Sequence, residues 1–196
     1  MDKHLDAQYW TSRYKQNQTG WDVGSISTPI KQYLDQFHQK EVKILIPGAG
    51  NAYEAKYAFE NGFQNVFVLD LSAYPLEKFK KSCPSFPESQ LLHQDFFEHE
   101  GEYDLIIEQT FFCALDPSLR NDYVKKMHKL LKPGGKLVGV LFGIEFTHDG
   151  PPFGGLMDEY LSLFNKVFSN VVIEPCYNSI VPRKGSELFL KVIKDH

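Results

Sequence analysis

Carboxylates at the ends of short apolar runs, and two glycines beside the first such run, are the residues of this chain placed to do chemistry. Gly48 and Gly50 lie in ILIPGAGNAYEA, residues 44–55, where an apolar run passes through Pro47 into a helical pattern. Two glycines there let the backbone turn sharply and come close to a ligand. Ala52 or Tyr53 occupies the place of the third glycine of a dinucleotide-binding loop, which makes a poorer seat for a pyrophosphate. Glu54 in the first helical turn repels a phosphate and suits a cationic ligand. Alone, this stretch reads equally well as a plain strand-to-helix turn. Asp70 shifts the reading toward a nucleoside site. It closes the next apolar run, twenty positions after Gly50, where a carboxylate can accept both hydroxyls of a ribose. Leu71 follows it and is counted with the same site.

Asp95 and Phe96, in HQDFFEHE, follow a third run. The carboxylate can take the exocyclic amine of an adenine and the ring can flank it. A turn aspartate beside core phenylalanines is the alternative. Glu108 and Gln109 end a fourth run and are expensive to bury without partners. They make sense facing a polar ligand, with Phe112 in the adjoining aromatic wall. Glu108 is the first residue to test if a general base exists. Cys113 has no base near it in sequence and reads as a small buried residue. Trp10, Tyr14 and Trp21 precede the first run and either fold over the site as a lid or anchor an amphipathic helix. Phe142, Phe146, Phe153 and the Gly150-Pro151-Pro152 turn form a lip for a second ligand or a satellite core. Arg183 and Lys184 reach an anionic substrate or sit in a solvated turn; Arg120 reads as a surface residue.

The elements that must position these residues alternate. Helical patterns are expected over 5–14, 28–39, 51–61, from Ser72 to a stop at Pro84, from Asp116-Pro117 to Lys132-Pro133-Gly134-Gly135, and over 156–168. In the helix after Pro117, Leu119, Tyr123, Met127 and Leu130 share one face. Strands are expected over 42–46, 65–69, 90–93, 103–107 and 136–142, with a terminal antiparallel hairpin over 171–174 and 187–193. Such alternation implies a mostly parallel seven-stranded sheet covered on both faces, which binds ligands beyond the carboxyl ends of its strands.

The 196 residues suit one domain, and 42% hydrophobic with 23% charged residues is ordinary for a globular chain. A net charge of −4 without like-charge blocks disfavours nucleic acid and membrane partners. Three dispersed cysteines and seven scattered histidines give no disulfide scaffold and no metal-ligand spacing. No signal-like start or long apolar run is present, so the cytoplasm is the expected location.

The chain resembles class I S-adenosylmethionine-dependent methyltransferases, more narrowly the thiopurine methyltransferase superfamily and its plant halide and thiol methyltransferases. WTSRYKQNQTGWDVG is similar to that family's N-terminal lid, ILIPGAGNAYEA to its glycine loop, and VLDLS to the following strand end. QDFF, YDLIIEQTFFCALDPSLR, LLKPGGKL, HDGPPF and SIVPRKGSE also have counterparts there. The resemblance implies a Rossmann-like three-layer α/β sandwich with an N-terminal helical lid, 1–27, on a catalytic core, 28–196, together one methyltransferase domain. It implies S-adenosylmethionine as cofactor, S-adenosylhomocysteine as product, and a small methyl acceptor, a thiol, halide or thiopurine-like sulfur. Cofactor contacts are implied at Trp10, Tyr14, Trp21, Gly48, Asp70, Asp95, Phe96 and Gln109; Gly50 and Leu71 are counted with them, and Phe112, Phe153 and Arg183 are taken as the acceptor pocket. Ala49, Ala52, Glu54 and Gln109 depart from the family pattern. A monomer without metal is expected. Two other readings stand beside this one: a nucleotide-dependent oxidoreductase on a similar sheet, and a methyltransferase-like module that binds without turnover.

Overall fold

A computed structural model of the chain describes residues 5–195. The first four residues of the expected N-terminal cover and residue 196 lie outside the described residues. The strands are β1 (Lys43–Pro47), β2 (Asn65–Asp70), β3 (Leu91–His93), β4 (Tyr103–Gln109), β5 (Leu131–Phe142), β6 (Asn170–Pro175) and β7 (Glu187–Ile193). They form one seven-stranded sheet in the order β3-β2-β1-β4-β5-β7-β6. The first five run parallel, and β7 pairs antiparallel with both β5 and β6. The helices are α1 (Ala7–Lys15), α2 (Thr28–Asp35), α3 (Tyr53–Glu60), α4 (Ala73–Ser82), α5 (Arg120–Leu130) and α6 (Met157–Phe164). The fold is a Rossmann-like α/β sandwich.

Strand alternation splits the core in two. Ile44 and Ile46 of β1 and Leu105 and Ile107 of β4 pack on one face with Ala55, Ala58, Leu76 and Phe79. Leu45 and Ile106, from the same strands, pack on the other face with Tyr123, Met127, Leu130 and Phe164. Because both faces are covered, these strands read as unbroken apolar runs rather than alternating ones. The strand order reverses between β1 and β4, and a crevice opens beyond their carboxyl ends. Helix starts follow local chemistry. Asp6 Oδ1 accepts from the Tyr9 N–H at 2.8 Å at the start of α1, and Ser72 Oγ accepts from the Tyr74 N–H at 3.3 Å at the start of α4.

Several expected boundaries differ. The second helix ends at Asp35, where Phe37 N–H turns to Leu34 O at 3.1 Å and tightens the last turn. Residues 132–135 do not loop out: Gly134 N–H donates to Lys194 O at 2.9 Å and Lys194 N–H to Gly135 O at 3.0 Å. β5 therefore starts at Leu131, and the extra residues bulge between the pairs Tyr103–Leu131 and Leu105–Lys136. Asp116 caps a separate 3₁₀ turn, Pro117–Leu119, so Leu119 sits at the surface, off the buried face of α5. The helix expected over 156–168 closes at Phe164.

Gly139 sets the spacing of the central strands. A Cβ there would lie 2.2 Å from Glu108 O and 2.3 Å from Glu108 Cβ. Gly139→Ala should lower unfolding free energy by about 3 kcal/mol or more in urea denaturation. An unchanged midpoint would show that the β4–β5 contact gives way easily.

Candidate functional site

A cavity of about 1220 Å³ lies beyond the carboxyl ends of β1, β2 and β4. Gly48, Gly50, Asp70, Leu71, Asp95, Phe96 and Gln109 all line it, although they come from separate loops. Gly48 turns the chain out of β1 at φ 76°, and its N–H donates to Leu69 O at 2.7 Å. Asp70 then clasps the loop: Oδ2 accepts from the Ala49 N–H at 2.8 Å and Oδ1 from the Ser72 N–H at 2.8 Å. Each oxygen keeps capacity for one further donor. Burial raises its pKa to about 6, against the lowering effect of the two amides. Ala52, at the place of the third glycine, takes the left-handed φ of 55° that glycine adopts more easily.

Asp95 Oδ1 accepts from the Phe97 N–H at 2.8 Å, so this carboxylate also shapes its own turn. Phe96 is both core and cavity wall, edge-on to Phe111 at 5.1 Å. Trp10, Tyr14 and Trp21 line the opposite side and hold one another: Trp10–Trp21 centroids are 5.7 Å apart and Tyr14–Trp21 5.5 Å. Desolvation and the Asp70 charge push the Tyr14 phenol up, so it stays protonated. Side-chain hydrogen bonds fasten this N-terminal segment. Thr11 Oγ1 and Ser72 Oγ are 2.7 Å apart, Ser27 Oγ donates to Gln109 Oε1 at 2.7 Å, and Tyr53 OH donates to Asp22 Oδ1 at 3.0 Å. From the far end of the chain, Arg183 donates to Trp21 O at 2.9 Å and to Glu187 Oε1 at 3.3 Å. Arg183 is a buried cavity residue rather than a solvated turn.

Three expected site residues stand elsewhere. Glu108 is fully buried and off the cavity wall. Its Oε1 accepts from the Phe111 and Phe112 N–H groups at 2.8 and 2.9 Å, and its Oε2 from Tyr123 OH at 2.6 Å. The carboxylate shapes the loop after β4 and does not face a ligand. Phe112 is 1% exposed, packed against Tyr123 and Tyr160 in the core. Phe153 is off the wall too, with its N–H tied to Cys113 O at 2.7 Å, while Phe142, Phe146, Pro151 and Pro152 line the cavity. Arg120 is not a free surface residue: it donates to Gly154 O at 2.7 Å and lies over the Phe112 ring at 5.0 Å. Cys113 lines the cavity, but burial pushes its thiol up, which removes it as a nucleophile. Ser27 and Glu187 carry no local signal of their role, because their partners are far off in sequence or fixed by the fold. Phe111, two residues after Gln109, also lines the cavity.

A family model described as thiopurine S-methyltransferase matches residues 5–188. The chain is 31% identical to the Arabidopsis thaliana protein named Probable thiol methyltransferase 2, over 91% of this chain and 81% of that one. It is 30% identical to thiocyanate methyltransferase 1 of Brassica oleracea, with the same two coverages. Among solved structures it is similar to the 1,6-didemethyltoxoflavin-N1-methyltransferase of Burkholderia thailandensis, solved with bound 1,6-didemethyltoxoflavin and S-adenosylhomocysteine. The TM-score is 0.75 at 19% identity, over 97% of this chain and 87% of that one.

Burial raises the Glu108 pKa from 4.5 to about 7, against its three hydrogen-bond donors. The folded state therefore holds this proton to higher pH than the unfolded chain. Its contribution to stability is present below pH 4.5 and lost as pH rises through 7. Glu108→Gln should flatten the fall in unfolding free energy across that window, read by urea denaturation at several pH values. Turnover should survive within a few-fold; its abolition in a stably folded variant would restore Glu108 to the reaction.

Proposed function

The chain belongs to the thiopurine S-methyltransferase family, and from that premise we propose how its cavity works and what it methylates. The protein is an S-adenosylmethionine-dependent methyltransferase acting on sulfur. The observation that carries the residue assignments is the convergence of Gly48, Asp70 and Asp95 on one cavity beneath Trp10, Tyr14 and Trp21. The residues present suit the cofactor: Asp70 retains acceptor capacity for ribose hydroxyls, Glu54 offers a buried carboxylate to a cation, and aromatic faces border the same space.

Bound there, S-adenosylmethionine would supply a methyl group activated by its sulfonium for transfer to the acceptor sulfur, with S-adenosylhomocysteine as the other product. Asp70 takes the ribose and Asp95 the adenine amine, with Phe96 and Leu71 on the flanks. The glycine loop, Gly48 to Gly50, leaves room beside the methionine part. Gln109 is held toward the cover by Ser27. Trp10, Tyr14 and Trp21 exclude water from the reacting centre. Phe142, Phe146 and Pro151 wall the acceptor side, and Arg183 places positive charge there for an anionic acceptor. No general base is assigned, because a thiol that arrives as thiolate needs alignment rather than proton removal. The relatives named as thiol and thiocyanate methyltransferases support a small sulfur nucleophile as acceptor.

We assign residues 1–27 to the cover and 28–196 to the catalytic core of one domain, acting as a monomer on small molecules. Among the described residues, no helix is long and apolar enough to cross a membrane. The three free cysteines fit a reducing compartment and support the cytoplasm.

Labelled S-adenosylmethionine offered with sulfide, small thiols, thiocyanate, iodide and thiopurines tests the reading. Methyl transfer to at least one sulfur acceptor is expected, and transfer to none with the cofactor bound would defeat it. Asp70→Asn should weaken cofactor binding by about 1–3 kcal/mol in calorimetry, the scale of a hydrogen bond to a charged group. Unchanged affinity would remove Asp70 from the ribose. Trp21→Ala should weaken binding or turnover; survival of both would refute the cover.

A further inference from the structure

Of the two buried carboxylates that line the cavity, Glu54 and Asp70, Glu54 is the more weakly held. It lies in the first turn of α3, lines the cavity, and is 8% exposed. Its Oε1 accepts from the Ser27 N–H at 3.4 Å, the long limit of a hydrogen bond. Asp70, equally buried, accepts two amides at 2.8 Å, and Glu108 accepts three good donors. Among the described residues, the cation that acts on Glu54 is Arg183, and Arg183 is committed to Glu187 at 3.3 Å and to Trp21 O at 2.9 Å. Two buried carboxylates thus share one guanidinium, and burial raises the pKa of Glu54 against the lowering effect of Arg183. A buried carboxylate so poorly paired is costly unless a cation completes it.

We propose that Glu54 binds the positive charge of the cofactor and so sets its affinity. The inference rests on S-adenosylmethionine as cofactor. That ligand brings two cationic centres, the sulfonium and the α-ammonium, and Glu54 serves one of them. The Trp and Tyr rings of the cover face the same space and favour the same sign of charge. The consequence differs with the centre. If Glu54 holds the sulfonium, methyl transfer removes its partner, because the product sulfur is neutral. The product is then bound more weakly than the substrate and leaves readily. If it holds the α-ammonium, substrate and product are gripped alike.

The test is calorimetry on wild type and Glu54→Gln with three ligands: S-adenosylmethionine, S-adenosylhomocysteine and 5′-methylthioadenosine, which carries neither charge. Glu54→Gln should raise the Kd for S-adenosylmethionine at least tenfold, about 1.4 kcal/mol. It should leave that for 5′-methylthioadenosine unchanged. A parallel loss for S-adenosylhomocysteine assigns the α-ammonium, and an unchanged S-adenosylhomocysteine assigns the sulfonium. The ligand-free variant should melt at or above the wild-type temperature, because a neutral amide is easier to bury. Equal affinity for S-adenosylmethionine in both proteins overturns the proposal, as does an equal loss for all three ligands. Wild type that binds 5′-methylthioadenosine but not S-adenosylmethionine, or neither, overturns the cofactor reading instead.

Discussion

The carboxylate of Asp70 is the point on which the site depends. The hydrogen bonds it accepts from two backbone N–H groups join the loop after β1 to the turn after β2, and Ser72 carries the connection onward. The Ser72 hydroxyl caps α4 and meets Thr11 of α1. One buried group therefore fixes the glycine loop, the start of a helix and the N-terminal cover together. Burial opposes its charge, so the arrangement is held by amides that point inward rather than by an ion pair. A ligand donor on the remaining lone pairs would complete it.

The rest of the cavity is closed by ties between segments remote in sequence. Ser27 reaches Gln109, and Arg183 reaches the backbone of Trp21. These are single hydrogen bonds on an aromatic layer, which suits a cover that must let ligands pass. Two buried carboxylates, Glu54 and Glu187, lie about the buried guanidinium of Arg183, while Arg13 and Lys184 also line the cavity. A buried carboxylate on such a wall is completed by a cation.

Much of this was legible along the chain. Runs such as KILIP and NVFVLD announced buried strands, and the acidic or glycine residues at their ends marked the sheet edge where ligands gather. Asp70 and Asp95 could be named because one ends β2 and the other lies two residues beyond β3, whichever way the strand faces. Glu108 and Phe112 could not be placed. In a sheet covered on both faces the apolar residues of a strand face both ways, so no alternation reports which side of β4 a given residue takes. Glu108 and Gln109 are adjacent, and one residue of strand parity sends the first into the core and the second to the cavity.

The sequence by itself determined the order of elements, the mostly parallel sheet with its closing hairpin, and the loops that could carry a nucleoside, because hydrophobic period and turn chemistry act over a few residues. Tertiary structure alone decided which side chains share the cavity, how Arg120 pins the loop at Gly154, and that Glu54 is buried with only a long hydrogen bond from Ser27. Those outcomes depend on contacts between residues tens of positions apart, and on burial, which no local pattern encodes.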